Sequence, residues 1–404
     1  MAVTEYFHGV RVFEVGSTPR PISVNEYNTV GAMVVAPAAD PEVFPEDVVV
    51  EGFTNDTAFR QALGTGGNVD AVFDAIDDQG VIAEIQVVRV AEGTGATDQA
   101  KLEATIANMV GSGADNSGVH AFKLASKPPK LLIAPGYDSQ RISGVKNPVA
   151  GELDGIAKRA RAIKILNTPM TSRAAAEQYR DDFPDDKRAF LFHPAVRVMR
   201  GTSIVNEPAS GRIAGLFIAR DRQVGGPWES PSNQAIGGAL APSRPISYFT
   251  GEPDSEANAL NENRIATVRN GTLLWGNETC AMDPLDRFVN VVRTNDMIDD
   301  AVVNAFYWAM DRTLSVPHAT SIIQSLDMFG DELVAAGAVL GFRVWFDRTL
   351  NSNGQLASGI LRIEYDREPA APLQDLQFGA RRNLEYYAVL ANGILQSLDR
   401  REAA

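Results

Sequence analysis

Lys130-Leu131-Leu132-Ile133-Ala134 is an apolar run closed by Pro135-Gly136, and Ile163-Lys164-Ile165-Leu166-Asn167 is a second such run thirty residues on. Between them, residues 151–162 place apolar side chains at helical spacing, so the segment reads as strand, helix, strand. The alternation continues with a helix over 172–180 and a strand over 189–199. Short apolar strands that alternate with helices through short connections build an α/β layer around a largely parallel sheet.

Upstream of this block the same grammar holds. Residues 31–36 and 82–90 are apolar runs, a helix opens at the capping segment Thr54-Asn55-Asp56, and a second helix covers 68–78. Residues 91–117 are rich in Gly, Thr, Ala and Asp and read as a surface insertion carrying one helix over 99–110. The first twenty residues read as a short strand over 9–15 followed by Pro19-Arg20-Pro21, which favours an arm on a linker over an integral part of a core.

Downstream, residues 264–270 and 272–275 read as strands, 288–293 as another strand, and 296–311 as a helix. Ile298, Val302, Ala305, Phe306 and Ala309 give that helix one apolar face. A further helix covers 321–339, and Leu361, Ile363 and Tyr365 alternate with charged residues as in a half-covered strand. Glu368-Pro369-Ala370-Ala371-Pro372 is a rigid spacer before a short strand over 373–380 and a closing helix over 383–398.

Composition narrows the function classes. The chain has 404 residues, 45% hydrophobic and 22% charged, which is ordinary for a multi-domain globular protein. The net charge of −14 argues against broad phosphate neutralisation on nucleic acid. Local basic clusters remain at Lys158-Arg159-Ala160-Arg161, Arg381-Arg382 and Arg400-Arg401, with solvated faces as the alternative reading. No run reaches the length of a spanning helix. The start of the chain has no basic, apolar leader, so synthesis and retention in a cytoplasm are expected. The single cysteine, Cys280, is expected to be a buried thiol.

The residues that carry chemistry elsewhere are scattered here. Gly201-Thr202-Ser203 is similar to the nucleophile segment of subtilisin-like proteases, yet an Asp, His, Ser arrangement is missing: His8 lies in the arm, and His120 and His193 lack the glycine-rich context. Gly64-Thr65-Gly66-Gly67-Asn68 lacks dinucleotide-loop spacing and reads as a capping turn. Four histidines and one cysteine offer no zinc spacing. Asp181-Asp182 and Asp185-Asp186 read as a solvated loop. No cofactor, metal or catalytic residue is expected.

Two segments carry a resemblance. Glu207-Pro208-Ala209-Ser210-Gly211-Arg212-Ile213-Ala214-Gly215, continued by Gly226-Pro227-Trp228 and Pro231-Ser232-Asn233, is one. Leu260-Asn261, Leu274-Trp275-Gly276-Asn277-Glu278-Thr279 and Asn290-Val291-Val292-Arg293 form the other. Both are similar to segments of the contractile phage tail sheath family, which includes phage-tail-like bacteriocins. Glu278 and Val292 depart from the commoner basic residues. The similarity is good over residues 190–380 and loose before them.

The resemblance implies a mixed α/β and α+β fold: a subtilisin-like α/β domain without a triad (118–260), a C-terminal α+β domain (261–366), and a variable N-terminal domain facing outward (22–117). Arms at 1–21 and 367–404 would flank them. It implies a structural subunit, not an enzyme, that stacks as hexameric rings around an inner tail tube, meets baseplate and tail terminator proteins, and contracts to drive the tube through a cell envelope. The particle would be a virion tail or a bacteriocin, assembled in a bacterial cytoplasm, with neither direct nucleic-acid binding nor membrane insertion by this chain. Strand exchange between subunits would use Val10, Val12 and Phe13 in one arm and Leu373, Leu376 and Phe378 in the other. Exposed strand edges favour such pairing, although terminal strands that pair within one subunit are the alternative. Arg381, Arg382, Arg400 and Arg401 would face the tube, and the apolar stripe of the last helix would pack on the C-terminal domain. The competing readings are a hydrolase using Ser203 and a non-polymerising binding module.

Overall fold

In a computed structural model of the chain, residues 21–22 and 27–402 are described, with side chains to residue 398. The arm residues Val10, Val12 and Phe13 lie outside the described residues. The strands are β1 (Val30–Val35), β2 (Val49–Phe53), β3 (Glu84–Val90), β4 (Leu131–Ile133), β5 (Ile163–Asn167), β6 (Ala189–Phe192), β7 (Val196–Arg200), β8 (Ser203–Glu207), β9 (Ala239–Pro242), β10 (Ile265–Arg269), β11 (Leu273–Trp275), β12 (Val339–Trp345) and β13 (Glu364–Pro369). The helices are α1 (Thr57–Leu63), α2 (Val69–Asp77), α3 (Asp98–Val110), α4 (Pro148–Ala160), α5 (Arg173–Arg180), α6 (Ser210–Val224), α7 (Glu256–Glu262), α8 (Val289–Ala305), α9 (Val316–Ala335), α10 (Asn353–Ala357) and α11 (Tyr387–Glu402).

An eight-stranded sheet in the order β11-β10-β6-β5-β4-β1-β3-β2 dominates residues up to 371. Its interior strands run parallel, and β2 and β11 close the two edges antiparallel. Strand residues alternate between two cores. Ala32, Val34, Ile133 and Ile165 face Val72, Phe73, Ile76 and Phe217, whereas Met33, Val35, Leu132 and Val88 face Ile106, Met109, Leu153 and Ile156. Helices therefore cover both faces, as buried parallel strands require.

Local chemistry places several ends of these helices. The Asp56 carboxylate accepts from the Ala58 and Phe59 N–H groups at the start of α1, and Thr97 and Ser172 cap α3 and α5 in the same way. Gly211 and Gly215 let α6 lie against α2. A Cβ at Gly211 would sit 2.1 Å from the Ala71 carbonyl oxygen, and one at Gly215 would sit 2.7 Å from Gln79 Cγ.

Several expectations are corrected. Residues 189–199 form two strands, because Pro194 has no N–H to donate to a ladder, and β7 joins β8 and β9 in a separate three-stranded antiparallel sheet. The segment 288–293, rich in β-branched residues, opens α8, whose Val289 and Val292 meet the main sheet core at a spacing of three. The strand expected from the alternation of Leu361, Ile363 and Tyr365 starts only at Glu364, opposite Trp345 of β12. Residues 91–117 are no loose insertion, since α3 buries Ile106 and Met109 under the sheet. The main sheet takes strands from residues 22–117, 118–260 and 261–366 alike. Residues 373–380 form no strand and are exposed.

A second core lies beside the sheet. Met297, Ile298 and Ala301 of α8, with Leu326, Phe329 and Leu333 of α9, enclose Ile22 and Tyr27 and are flanked by Phe342, Val344 and Tyr365 of the β12–β13 hairpin. Thus α8 belongs to the sheet core at its start and to the second core further on. Residues 372–404 form a separate unit.

Candidate assembly surfaces

The segments that carry the sequence resemblance are largely buried, and several of their polar side chains are bonded within the chain. Asn167, at the carboxyl end of β5, accepts with Oδ1 from the Ala209 and Ser210 N–H groups at 2.8 and 3.1 Å. This supplies the N-cap that Ala209 cannot. Arg212, with a side chain 1% exposed, donates to Asp78 at 2.6 Å and to the Gly237 carbonyl at 3.2 Å, and pairs with Glu207. Glu278 replaces a basic residue of the family pattern yet is paired, to Arg287 at 2.6 Å.

The carboxyl edge of a parallel sheet is where such folds usually bind ligands. Here it is filled by the protein itself. Asn68 Nδ2 donates to the Met33 and Pro135 carbonyls at 3.1 and 2.9 Å, and Oδ1 accepts from the Val35 N–H at 2.8 Å. The glycine-rich turn before Asn68 leads into α2, and the Asn68 side chain makes no cap bond but joins β1 to the segment that follows β4. Asp138 is fully buried, accepts from the Asn167 backbone N–H and side-chain amide at 3.0 and 2.9 Å, and is raised to about 7 by burial. Asn167 Nδ2 also donates to Ser210 Oγ at 2.9 Å. Sequence reasoning missed this group, since its members lie far apart in the chain and match no spacing rule.

Ser203 is placed elsewhere, at the exposed start of β8 beyond the Gly201 turn. Among the described residues no His, Asp or Glu side chain hydrogen-bonds its hydroxyl. His193 is committed: Nδ1 lies 2.8 Å from Thr168 Oγ1, and Nε2 lies 2.9 Å from Arg244 Nη2. Burial and then Arg244 lower it to about 4, so the ring is neutral near pH 7. The acyl-transfer arrangement is therefore not assembled around Ser203. Burial pushes the Cys280 thiol up to about 12, which leaves it protonated and unreactive.

The charge clusters are internal ties as well. Asp182 takes Arg141 at 2.7 Å and Asp186 takes Lys164 at 2.7 Å, so the segment read as a solvated loop is pinned. Arg161 pairs with Asp300 of α8, as does Lys130 at 2.5 Å, and Arg188 donates to Asp296 at 2.7 Å.

Two features remain unsatisfied. The β12–β13 hairpin is a two-stranded sheet, so among the described residues both of its outer edges lack a strand. Residues 373–398 are exposed throughout. Phe378 is 84% exposed, Leu373 75%, and Leu376 61%, and the stripe residues Leu384, Tyr387, Ala391, Ile394, Leu395 and Leu398 are exposed too. Arg381 and Arg382 are exposed, and the side chains of Arg400 and Arg401 lie outside the described residues.

Comparison with known proteins resolves what kind of molecule carries these features. Residues 282–381 match the family model "Phage tail sheath C-terminal domain". A prophage major tail sheath protein of Pseudomonas aeruginosa is 33% identical over 363 residues, which is 88% of this chain and 90% of that protein. The chain belongs to the tail sheath protein family. The tail sheath protein of Escherichia phage P2 is 28% identical over 404 residues, covering 97% of this sheath protein and 99% of its relative. The sheath complex of an extracellular contractile injection system, solved in the contracted state, superimposes with a TM-score of 0.68 at 17% identity, covering 96% and 100% of the two chains. That likeness concerns the fold. The sequence relatives make the chain a sheath subunit, a structural component of phage-type tails, with a mixed α/β fold behind the buried motifs.

Proposed function

We propose that this sheath subunit polymerises as stacked hexameric rings around an inner tail tube, that the lattice ends on baseplate and tail terminator proteins, and that its contraction drives the tube through a target cell envelope. The carrying observation is the unit 372–404, in which Leu373, Leu376, Phe378 and both faces of α11 as far as Leu398 are exposed. Leaving so much contiguous apolar surface in water is unfavourable by ~25 cal/mol per Å², so the segment fits a chain that is covered in an assembly. An exposed segment over 373–380 with apolar side chains and no ladder, and a hairpin with two free edges, are complementary needs. We assign Leu373, Leu376 and Phe378 to strand addition on a neighbouring copy, with Val10, Val12 and Phe13 in the same role at the other chain end.

Arg381, Arg382, Arg400 and Arg401 are assigned to an acidic tube surface, where guanidinium groups pair with carboxylates in a fixed geometry. The α/β body is read as a subtilisin-like domain from which the triad is missing, with residues 22–117 turned outward. Assembly would take place in a bacterial cytoplasm. The test is sedimentation of Leu376→Asp/Phe378→Asp under conditions where the wild-type chain forms large particles. Loss of the particles with an unchanged melting curve supports the reading, and particles of normal size refute it.

A further inference from the structure

Two polar residues, Asn290 and Arg293, are buried one turn apart on α8. Asn290 is 2% exposed, and its Nδ2 donates to the Ala370 carbonyl at 3.2 Å and to the Trp228 carbonyl at 3.0 Å. Ala370 in turn donates from its N–H to the Ala338 carbonyl at 3.3 Å. This is where the first unit ends, with Ala371. Arg293, buried completely, grips Asp221 with both Nη atoms at 2.9 and 2.5 Å and donates from Nη2 to the Tyr27 carbonyl at 3.2 Å. Tyr27 is held at its other end as well, by a bond from its hydroxyl to the Arg161 carbonyl at 2.9 Å and by Lys130 over its ring at 4.8 Å.

A carbonyl near the start of the described body, that of Tyr27, and one at its end, that of Ala370, are therefore bonded to the same helical turn. Residues three apart on a helix share one face, so the two anchors cannot shift independently without distorting that turn. Asp221 makes the turn stiff. It is fully buried, burial raises it and Arg293 opposes that rise, and a buried carboxylate that loses its guanidinium is strongly penalised. Val289 and Val292, on the same turn, are packed in the main sheet core. The turn is thus fixed to the body while it holds both the Tyr27 and the Ala370 segments.

We propose that the Asn290–Arg293 turn is the common anchor of the two arms, so that displacement of one arm root is felt at the other through α8. The inference rests on the arm reading above for its role in assembly, but it is tested on the unassembled subunit, so its failure is distinct from failure of that reading. Hydrogen exchange is measured on the soluble full chain for Asn290→Ala and for Arg293→Lys, which keeps a charge against Asp221 but shortens the reach to Tyr27. Each substitution is expected to raise exchange about five- to tenfold at both roots, residues 27–30 and 368–371, while amides of β4, β5 and β6 are unchanged. A rise confined to the root nearest the substitution overturns the shared anchor. A uniform rise that includes the sheet overturns it too, because it marks general loosening. If Asn290→Ala does not fold, Asn290→Ser, which keeps a short donor, gives the same readout.

Discussion

Lys164 lies in the middle of β5 on the face opposite Ile163 and Ile165, with its side chain fully buried. Its ammonium donates to Asp186 at 2.7 Å and to Asp154, and sits 5.3 Å from the Phe183 ring centre. Burial lowers it to about 8, against the pull of Asp186. For Asp186 the balance is reversed: burial pushes it up, but Lys164 and further hydrogen bonds leave it below its usual value. An unfolded lysine titrates near 10.4, so between pH 8 and pH 10.4 the unfolded chain holds the proton that the folded chain releases. Stability contributed by this group therefore rises with pH across that window and is lost as pH falls through 8. A shift of ~2.5 units at ~1.36 kcal/mol each amounts to about 3 kcal/mol. Lys164→Met removes this dependence and leaves Asp186 without its cation, which costs about 3 kcal/mol near neutral pH. Urea unfolding of both chains from pH 7.5 to 10.5 reads the difference directly. The gap between them should widen by about 3 kcal/mol toward the alkaline end, and a gap that stays constant refutes the account of this site.

Asn68→Ala strands one buried N–H and two buried carbonyls, so it should destabilise the fold by about 2–4 kcal/mol in urea unfolding. Removal of residues 372–404 should leave the thermal transition of the remaining chain where it is, measured by calorimetry, while abolishing particle formation in sedimentation. Arg381→Glu/Arg382→Glu should weaken co-sedimentation with inner tubes at low salt without altering the melting curve, and the milder Gln pair should show a defect that shrinks as salt rises, since exposed charges are screened over ~8 Å at physiological ionic strength. Ser203→Ala should polymerise like the wild type.

The strand and helix alternation of residues 130–180 was legible because buried parallel strands are short apolar runs and the helices carry their own caps, as at Ser172. What escaped the sequence depends on contacts between distant residues. The first turn of α8 reads as a strand from Val289, Val291 and Val292, and only packing against the sheet core makes it helical. Asn167 looks like the last residue of a strand, yet it caps a helix forty residues away in the chain. Lys164 interrupts an apolar run with a charge, and nothing local announces the two carboxylates that receive it. The resemblance segments were recognised as patterns. Their reason is burial: Gly211 and Gly215 for the approach of α2, Arg212 and Arg293 for internal ion pairs.

The central claim, that the exposed C-terminal segment is completed by another copy, is tested most directly by electron cryo-microscopy of the purified chain at concentrations where large particles sediment. The account predicts hollow six-fold tubes in which residues 373–380 run as an added strand along an edge of the β12–β13 hairpin of a neighbouring subunit. Monodisperse single chains at every concentration, or tubes in which those residues fold back on their own hairpin, would contradict it.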